Sequence, residues 1–394
     1  MTHFSDTAQT SPDTIIDTLK GVLPEGGELH VPSLDKREQG LAVECIESGW
    51  ISSLSPFVNR FEESLGNVTK ADYVIATSNG TAALHIALAA LGIEHNDEVL
   101  LPSLTFVATA NAIKYCGAHP HFVDIDEQTL GLDSSKLEEY LHSILTYKEN
   151  IPINRHTGRP VKAVICMHTF GHPVDMDPLV SMCQRLGLVL IEDAAESLGS
   201  TYRSKHTGTF GKCGIISFNG NKIVTTGGGG ALITNDKKLA ERVRHLATTA
   251  KSKHSFEYTH DEVGYNYRMP GINAAIGCAQ LEKLPRFLKQ KRSLAEAYHQ
   301  AFSRISDVTA YLEQSYAKSN YWLNTIILSD DNLDFRNAIL EKCHFHGIHA
   351  RPAWKPLHQL EHFMNCCKSD LSVTENLSRR IINLPSSPIL CIKK

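Results

Sequence analysis

The chain has 394 residues, of which 42% are hydrophobic and 21% are charged, a composition typical of a folded globular enzyme. Its formal net charge of −4 gives no sign of the basic surface that nucleic acids or anionic membranes require. No apolar run reaches the roughly 18 residues of a membrane-spanning helix, and no His or Cys pair has the spacing of a common metal motif. We therefore expect no nucleic-acid partner, no membrane span and no metal site.

Ten cysteines are scattered through apolar segments and do not form a disulfide pattern, which predicts free thiols in a reducing compartment. The first residues lack the basic and then apolar layout of a secretory signal peptide. These two features predict a cytoplasmic protein.

Along the chain, an accessory helix is predicted at residues 12–23, before a Pro-Glu-Gly-Gly break. From residue 71 onward, runs with strand and helix periodicity alternate. Strands are predicted at 71–77, 98–102, 121–126, 161–167 and 188–192, helices at 81–91, 106–116, 134–145 and 178–186, and a polar excursion without apolar period at 148–160. This alternation predicts an α/β fold in which helices cover both faces of a mostly parallel sheet.

The character of the sequence changes after about residue 275, where a long helical pattern at 279–302 precedes shorter elements. We interpret this change as the start of a second, smaller domain. The predicted division is an N-terminal accessory helix in residues 1–30, a large domain in 31–275 and a small C-terminal domain in 276–394.

The most informative segment surrounds Lys222, which lies in a polar loop before the four glycines 227–230. A lysine amine becomes a useful nucleophile where its surroundings lower its pKa and a carbonyl lies nearby. Asp193 ends an apolar strand, where a carboxylate needs a partner such as a protonated pyridine nitrogen. Together they match a pyridoxal phosphate site, which needs a Schiff-base amine and a partner for the ring nitrogen. Separately, a surface lysine and an N-cap aspartate are the alternatives.

Ligands in such sheets bind at the carboxyl ends of the strands, a rule that groups residues 78–81, 103–106 and 168–171 with Asp193 around one crevice. The segment 78–81 follows a strand and opens a helix, so its amides suit a phosphate, although the same residues also make an ordinary cap and turn. Ser217 is a candidate second phosphate ligand. Phe106 is a candidate cover for one face of a flat cofactor, although a phenylalanine alone is more typical of a core.

Several motifs resemble the DegT/DnrJ/EryC1/StrS family of nucleotide-sugar aminotransferases, in the family's order and from about residue 30 to the end. The motifs occupy residues 49–53, 102–112, 170–177, 192–199, 217–230 and 264–269. The N-terminal helix, the polar excursion and residues 351–358 resemble the LegC-like branch, which serves bacillosamine, legionaminic acid and related sugars.

The resemblance implies a fold-type I enzyme that uses pyridoxal 5'-phosphate, with a mostly parallel seven-stranded sheet, a smaller α+β domain and active sites shared across a homodimer. It assigns the covalent attachment of the cofactor to Lys222 and the ring-nitrogen ion pair to Asp193. The phosphate would be held by three residues of one subunit and one of its neighbour, namely Gly80, Thr81, Ser217 and the neighbour's Asn266. Position 196 is often Gln or His in the family, near the cofactor's phenolic oxygen. Here it is Glu196, which is unfavourable beside a phenolate unless one of the two groups is protonated.

Some family members that dehydrate their substrate carry histidine in place of the lysine, so Lys222 favours transamination. The sequence thus predicts transfer of an amino group from L-glutamate to the C4 ketone of a nucleotide-linked 4-keto-6-deoxy sugar for surface polysaccharide or glycan synthesis. The predicted sugar is a UDP- or GDP-linked 2-acetamido-2,6-dideoxy-4-ketohexose. A dehydratase or lyase on the same fold and a non-catalytic binding protein are the alternatives, and neither the nucleotide nor the product stereochemistry follows from the sequence.

Overall fold

The computed structural model describes residues 10–391. The expected absence of a signal peptide rests on N-terminal residues, most of which lie outside that range. The described helices are α1 (Pro12–Val22), α2 (Lys36–Glu47), α3 (Pro56–Thr69), α4 (Gly80–Ala90), α5 (Val107–Tyr115), α6 (Ser134–Ile144), α7 (Met176–Leu186), α8 (Lys237–Ala247), α9 (Gly271–Phe302), α10 (Leu333–Phe345) and α11 (Ser372–Arg380). In this part of the chain, none of the helices combines the length and the apolar character needed to span a membrane.

The strands form one large sheet and three smaller ones. They are β1 (Tyr73–Thr77), β2 (Glu98–Pro102), β3 (His119–Val123), β4 (Leu145–Lys148), β5 (Ile151–Asn154), β6 (Val161–Met167), β7 (Val189–Asp193), β8 (Thr201–Tyr202), β9 (Lys205–His206), β10 (Cys213–Ser217), β11 (Gly230–Thr234), β12 (Val308–Ala310), β13 (Ala317–Lys318), β14 (Asn324–Leu328), β15 (Arg351–Pro352), β16 (Cys367–Lys368) and β17 (Ile381–Leu384).

The large sheet has the order β1-β11-β10-β7-β6-β2-β3-β16 and is parallel except at β11, which runs antiparallel to both of its neighbours. The expected α/β architecture with a mostly parallel sheet is therefore confirmed. Seven strands come from residues 73–234, and the two-residue strand β16, from near the C-terminus, pairs with β3 as an eighth.

Both faces of the large sheet are buried, which explains its near-continuous apolar strands. In β1, Ile75 packs in the core beneath α4, α5 and α8, whereas Val74 and Ala76 pack in the core beneath α3 and α9. Because side chains alternate along a strand, neighbouring residues at a strand end also point to opposite faces. This alternation separates the two acidic residues at the end of β7.

A four-stranded antiparallel sheet in the order β12-β14-β17-β15 has its own core. Ile15 and Leu19 of α1 pack there with Leu294 and Tyr298 of α9 and Ile382 of β17, all of them buried. The N-terminal helix thus packs against elements from the end of the chain. The predicted division at residues 30 and 275 stays a prediction, and α9 runs through the second of these positions.

The polar excursion predicted at 148–160 is partly a β-hairpin. Strands β4 and β5 pair from Leu145 with Asn154 to Lys148 with Ile151. The connecting residues Glu149 and Asn150 have φ angles of 51° and 66°, as a tight two-residue hairpin turn requires. The hairpin was missed because its turn lacks the usual glycine and most of β4 is exposed, so no buried alternation marks the strand.

Candidate active site

A cavity of about 350 Å³ lies where β6, β7 and β10 end and α4 begins. Seven of the eight predicted site residues line it, and these are Gly80, Thr81, Phe106, Asp193, Glu196, Ser217 and Lys222. Of the segments that the strand-end rule grouped, 78–81 and 103–106 contribute lining residues together with Asp193, whereas none of residues 168–171 lines the cavity. The volume of the cavity suits a small ligand or cofactor. The functional roles of these residues stay predictions.

Lys222 projects into this cavity and is largely shielded, with 13% of its side chain exposed. Its Nζ lies 3.3 Å from Oε1 of Glu196 and 3.8 Å from the centre of the Trp322 ring. The ring is held by its indole N–H, which donates to the carbonyl oxygen of Asn221 at 2.8 Å. Trp322 comes from the region predicted as the small domain, and no local sequence signal links it to Lys222.

Asp193 is 3% exposed and lies at the end of β7. Its Oδ2 accepts a hydrogen bond from the hydroxyl of Thr109 at 2.7 Å, and its Oδ1 accepts one from the amide of Ala195 at 3.2 Å. Burial raises the pKa of the Asp193 carboxyl, and the Thr109 hydroxyl opposes this effect. A buried carboxylate in this position is stabilised by a cationic partner in the cavity, as a protonated ring nitrogen would be. The part played by Thr109 was missed, although it lies within a predicted helix.

The turn before α4 presents free amides to the same cavity. The Asn79 side chain caps the helix by accepting the amide of Ala82 at 2.8 Å. The amides of Gly80 and Thr81, in the first helical turn, have no partner within the helix. A side chain added at Gly80 would lie 3.3 Å from Cβ of Ser217, so the serine flanks this turn. These groups can bind a phosphate through amides, a hydroxyl and the helix dipole.

The glycine run serves close packing beside this turn. Gly230 pairs with Thr77 on one side and with Ser217 on the other. A Cβ at Gly230 would lie 2.5 Å from the carbonyl carbon of Asn79 and 2.6 Å from the nitrogen of Gly80, closer than real atoms approach. The chain also needs Gly227, whose φ of +79° is in the left-handed region.

Replacing Gly230 with alanine is expected to push the Asn79–Gly80 backbone out of place. We expect a loss of about 1–3 kcal/mol in unfolding free energy, as for other overpacked sites. Because the displaced backbone belongs to the predicted phosphate turn, affinity for pyridoxal phosphate should fall by about tenfold or more. Denaturant unfolding and a cofactor titration measure the two effects.

Gly228→Ala is the matched control, because a Cβ at this position has nothing within 4 Å and its φ is not in the left-handed region. It should change neither quantity appreciably. Equal effects of the two substitutions would show that the whole run, and not contact with the turn, sets cofactor affinity.

Phe106 lies at the cavity wall with 52% of its surface exposed, so it is not a core residue. Its position permits the predicted contact with one face of a flat cofactor. Trp354 also lines the cavity and packs on Phe170, with ring centres 4.9 Å apart. Trp354 lies within the segment 351–358 that supported the LegC-like resemblance, and its place in the cavity was not predicted.

Asn266 is the one predicted site residue that does not line this chain's cavity, and it is exposed. Its neighbours pack behind the phosphate turn. The carbonyl of Tyr267 accepts the amide of Ser78 at 2.8 Å, and Arg268 forms an ion pair with Glu62 at 2.9 Å. An exposed Asn266 remains available to a second subunit, and its predicted contact with the partner's cofactor phosphate stays a prediction.

No metal site was predicted, and this also stays a prediction. Among the described residues, Glu98, His121 and Cys367 bring possible ligand atoms together in a largely buried place. Glu98 already accepts hydrogen bonds from the side chains of Asn154 at 2.9 Å and Thr157 at 2.6 Å, and it pairs with Nδ1 of His121 at 2.9 Å. These internal bonds give the cluster a structural explanation.

Residues 32–394 match the DegT/DnrJ/EryC1/StrS aminotransferase family. The chain is 38% identical over 364 residues to GDP-perosamine synthase of Escherichia coli O157:H7, which covers 92% of this chain and 93% of that protein. It is also 40% identical over 362 residues to EpsN of Bacillus subtilis strain 168, which is named as a pyridoxal phosphate-dependent aminotransferase. That match covers 91% of this chain and 90% of EpsN. The solved structure of the aminotransferase TlmJ from Streptoalloteichus hindustanus superposes with a TM-score of 0.82 at 27% identity, over 92% of this chain and 93% of that one. The LegC-like assignment within the family stays a prediction.

Proposed function

We propose that this chain, which belongs to the DegT/DnrJ/EryC1/StrS aminotransferase family, aminates the C4 ketone of a nucleotide-linked 4-keto-6-deoxy sugar with L-glutamate as the amino donor. Membership makes it a pyridoxal phosphate-dependent sugar aminotransferase. The supporting observation is one cavity that brings together a shielded lysine, a buried aspartate and the free amides of a helix start.

The residues present fit pyridoxal phosphate at three points. Asp193 is a buried acid that needs a cationic partner, Lys222 offers an amine to an aldehyde, and the turn at Gly80 and Thr81 offers amides to a phosphate. When bound, the cofactor supplies an electron sink for the carbon next to the transferred amine.

In the proposed reaction, Lys222 would hold the cofactor through its Nζ until the amino donor takes its place. The freed Nζ would then act as the base that removes the proton from the α-carbon of glutamate and as the acid that returns a proton later in the same half-reaction. The second half-reaction uses the same amine in reverse on the sugar. Trp322, held against Nζ, limits the directions in which the amine can move.

The proposed sugar is a UDP- or GDP-linked 2-acetamido-2,6-dideoxy-4-ketohexose, used for surface polysaccharide or glycan synthesis. Relatives named for GDP-perosamine support a GDP-linked sugar. The test is a panel of 4-keto sugars linked to UDP, GDP or dTDP, with and without the 2-acetamido group, in which amine formation is followed with glutamate as donor. No amination of any member would contradict the proposal, and a dehydrated product would support the lyase alternative.

We also propose a homodimer in which Asn266 of one subunit completes the active site of the other. The support is that Asn266 is exposed and lies outside its own chain's cavity, next to a motif that packs behind the phosphate turn. Cofactor retention and dimerisation would then be linked.

Mixing two inactive variants, Lys222→Ala and Asn266→Asp, is expected to restore activity. In a mixed dimer one site carries both changes and the other carries neither, so random exchange should give about a quarter of the wild-type rate. Activity is measured after subunit exchange, with mixed dimers counted by two affinity tags. Mixed dimers without activity would place Asn266 in the site of its own chain or outside the site.

We propose a cytoplasmic location. Among the described residues, nine cysteines are free and none is disulfide-bonded, as a reducing compartment favours. The nucleotide-linked substrate proposed above would also have to be available in the same compartment.

A further inference from the structure

The cavity contains two buried acids and one largely shielded base. Asp193 and Glu196 are each 3% exposed, and Lys222 is the one cationic residue among the described residues that line the cavity. Glu196 faces Lys222 at 3.3 Å, and its second oxygen accepts the amide of Phe170 at 3.0 Å. Within the described residues, the ionic balance around Glu196 therefore depends on Lys222.

Within the part of the chain that the structure describes, no second cationic side chain lines the cavity beside Glu196. Asn320 donates its side-chain amide to the backbone carbonyl of Glu196 at 2.9 Å, which fixes the chain but does not neutralise the carboxyl. His30 is buried, and burial together with the charges of Lys291 and Lys222 holds its pKa well below the ordinary value, so it is neutral. Asp193 adds a negative charge, which also raises the pKa of the Glu196 carboxyl.

Cofactor binding would change both the positive and the negative charges around Glu196. Attachment of the cofactor would use the Lys222 amine, which would then no longer be a free ammonium ion able to move toward the carboxylate. The ring oxygen on the carbon next to the aldehyde lies near the lysine nitrogen by the chemistry of pyridoxal phosphate, and it is acidic enough to be an anion. A second anion within hydrogen-bonding range of a buried carboxylate is strongly unfavourable.

We propose that the Glu196 carboxyl takes up a proton when pyridoxal phosphate binds and donates a hydrogen bond to the cofactor's ring oxygen. The proton comes from solvent and converts the carboxylate to the neutral acid, with no other bond made or broken at this residue. The neutral carboxyl of Glu196 would donate a hydrogen bond to the ring oxygen, as the amide of Gln or the imidazole of His could do at the same position. The inference rests on the proposed cofactor site and adds the protonation state of one residue to it.

The predicted size of the proton uptake depends on pH. Burial raises the pKa of Glu196 to about 7 in the unliganded protein, against the attraction of Lys222. At pH 8 about nine tenths of the carboxyls are then ionised before binding, and at pH 6 only about a tenth. Full protonation in the complex therefore requires uptake of about 0.9 proton at pH 8 and about 0.1 at pH 6.

Calorimetric titration of cofactor-free protein with pyridoxal phosphate, in buffers of different ionisation heats, measures this uptake. Glu196→Gln keeps the shape and the donor but cannot titrate, so the wild type should take up about 0.9 proton more than this variant at pH 8 and about 0.1 more at pH 6. The difference from the variant gives the proton exchange that depends on the Glu196 carboxyl, and exchange that is the same in both proteins cancels. Glu375→Gln is the control, because Glu375 is half-exposed and lies away from the cavity beside His358.

Equal uptake by the wild type and Glu196→Gln at pH 8 would overturn the proposal and would mean that Lys222 keeps enough charge to pair with an ionised Glu196. If Glu196→Gln fails to fold or load, infrared difference spectra of the wild type decide, since loading at pH 8 should produce a protonated-carboxyl band and its absence contradicts the proposal. Failure of the wild type to bind the cofactor at all, read from its visible absorbance, would instead contradict the proposed function.

Discussion

Replacing Lys222 with alanine is expected to abolish the covalent attachment of the cofactor and to lower turnover by at least about 10⁴-fold, the upper end for a positioned proton-transfer group. The loss is large because one amine serves as both attachment point and proton carrier. The methyl group of the new alanine can serve in neither role. Among the described residues that line the cavity, no second cationic residue could replace the lysine.

Borohydride reduction followed by peptide mapping tests the attachment, and single-turnover kinetics with glutamate test the proton transfer. Lys237→Ala is the matched control, because the Lys237 side chain is 71% exposed on α8 and should leave both measurements unchanged. A cofactor label found on another lysine would contradict the assignment of Lys222.

The parts of the site that could be predicted are those determined by neighbouring residues. Asp193 ends a strand, Gly80 begins a helix and Lys222 precedes a glycine run, and each of these is visible within a few positions of sequence. The rule that parallel strands gather their carboxyl ends groups Gly80 with Asp193, although they are far apart along the chain, and the chemistry of the cofactor groups Lys222 with Asp193. All three residues line the cavity.

The contacts that were missed join distant segments without a local pattern. Trp322 meets Lys222 across a separation of 100 residues, and Asn320 reaches the carbonyl of Glu196 across 124. Such contacts depend on how the C-terminal part packs against the large sheet, which no periodicity encodes. The same reason applies to α1. Its apolar face predicts a helix, but it does not predict which residues of the C-terminal core the helix packs against.

Two adjacent acids at the end of β7 lie on opposite faces of the sheet, because side chains alternate along a strand. Asp193 faces the cavity, where it accepts the Thr109 hydroxyl. Glu192 points to the opposite face, where it accepts the amides of Gly208, Phe210 and Gly211 at 2.6, 2.6 and 2.7 Å. Sequence alone shows two acids at one strand end, and the register of β7 decides which of them is available to a ligand.

Asp193→Asn is expected to lower turnover by about 10²- to 10³-fold, the usual loss when one preorganised electrostatic group is removed from an active site. The amide has nearly the same shape and still accepts the Thr109 hydroxyl, so the fold and the cavity should persist. The loss arises because a neutral amide no longer favours the protonated ring nitrogen, and the electron sink that makes the α-proton acidic is weakened.

Glu192→Gln separates this effect from simple loss of a buried charge. That change removes a charged acceptor from three backbone amides and should lower unfolding free energy by about 1–3 kcal/mol while leaving cofactor chemistry nearly intact. The two variants should therefore change different quantities. Asp193→Asn should lower the rate of α-proton exchange from glutamate, and Glu192→Gln should lower the denaturant midpoint of unfolding. Near-normal proton exchange in Asp193→Asn would mean that the ring nitrogen lies elsewhere in the cavity, and a ring turned the other way would place the phosphate away from Gly80 and Thr81 as well.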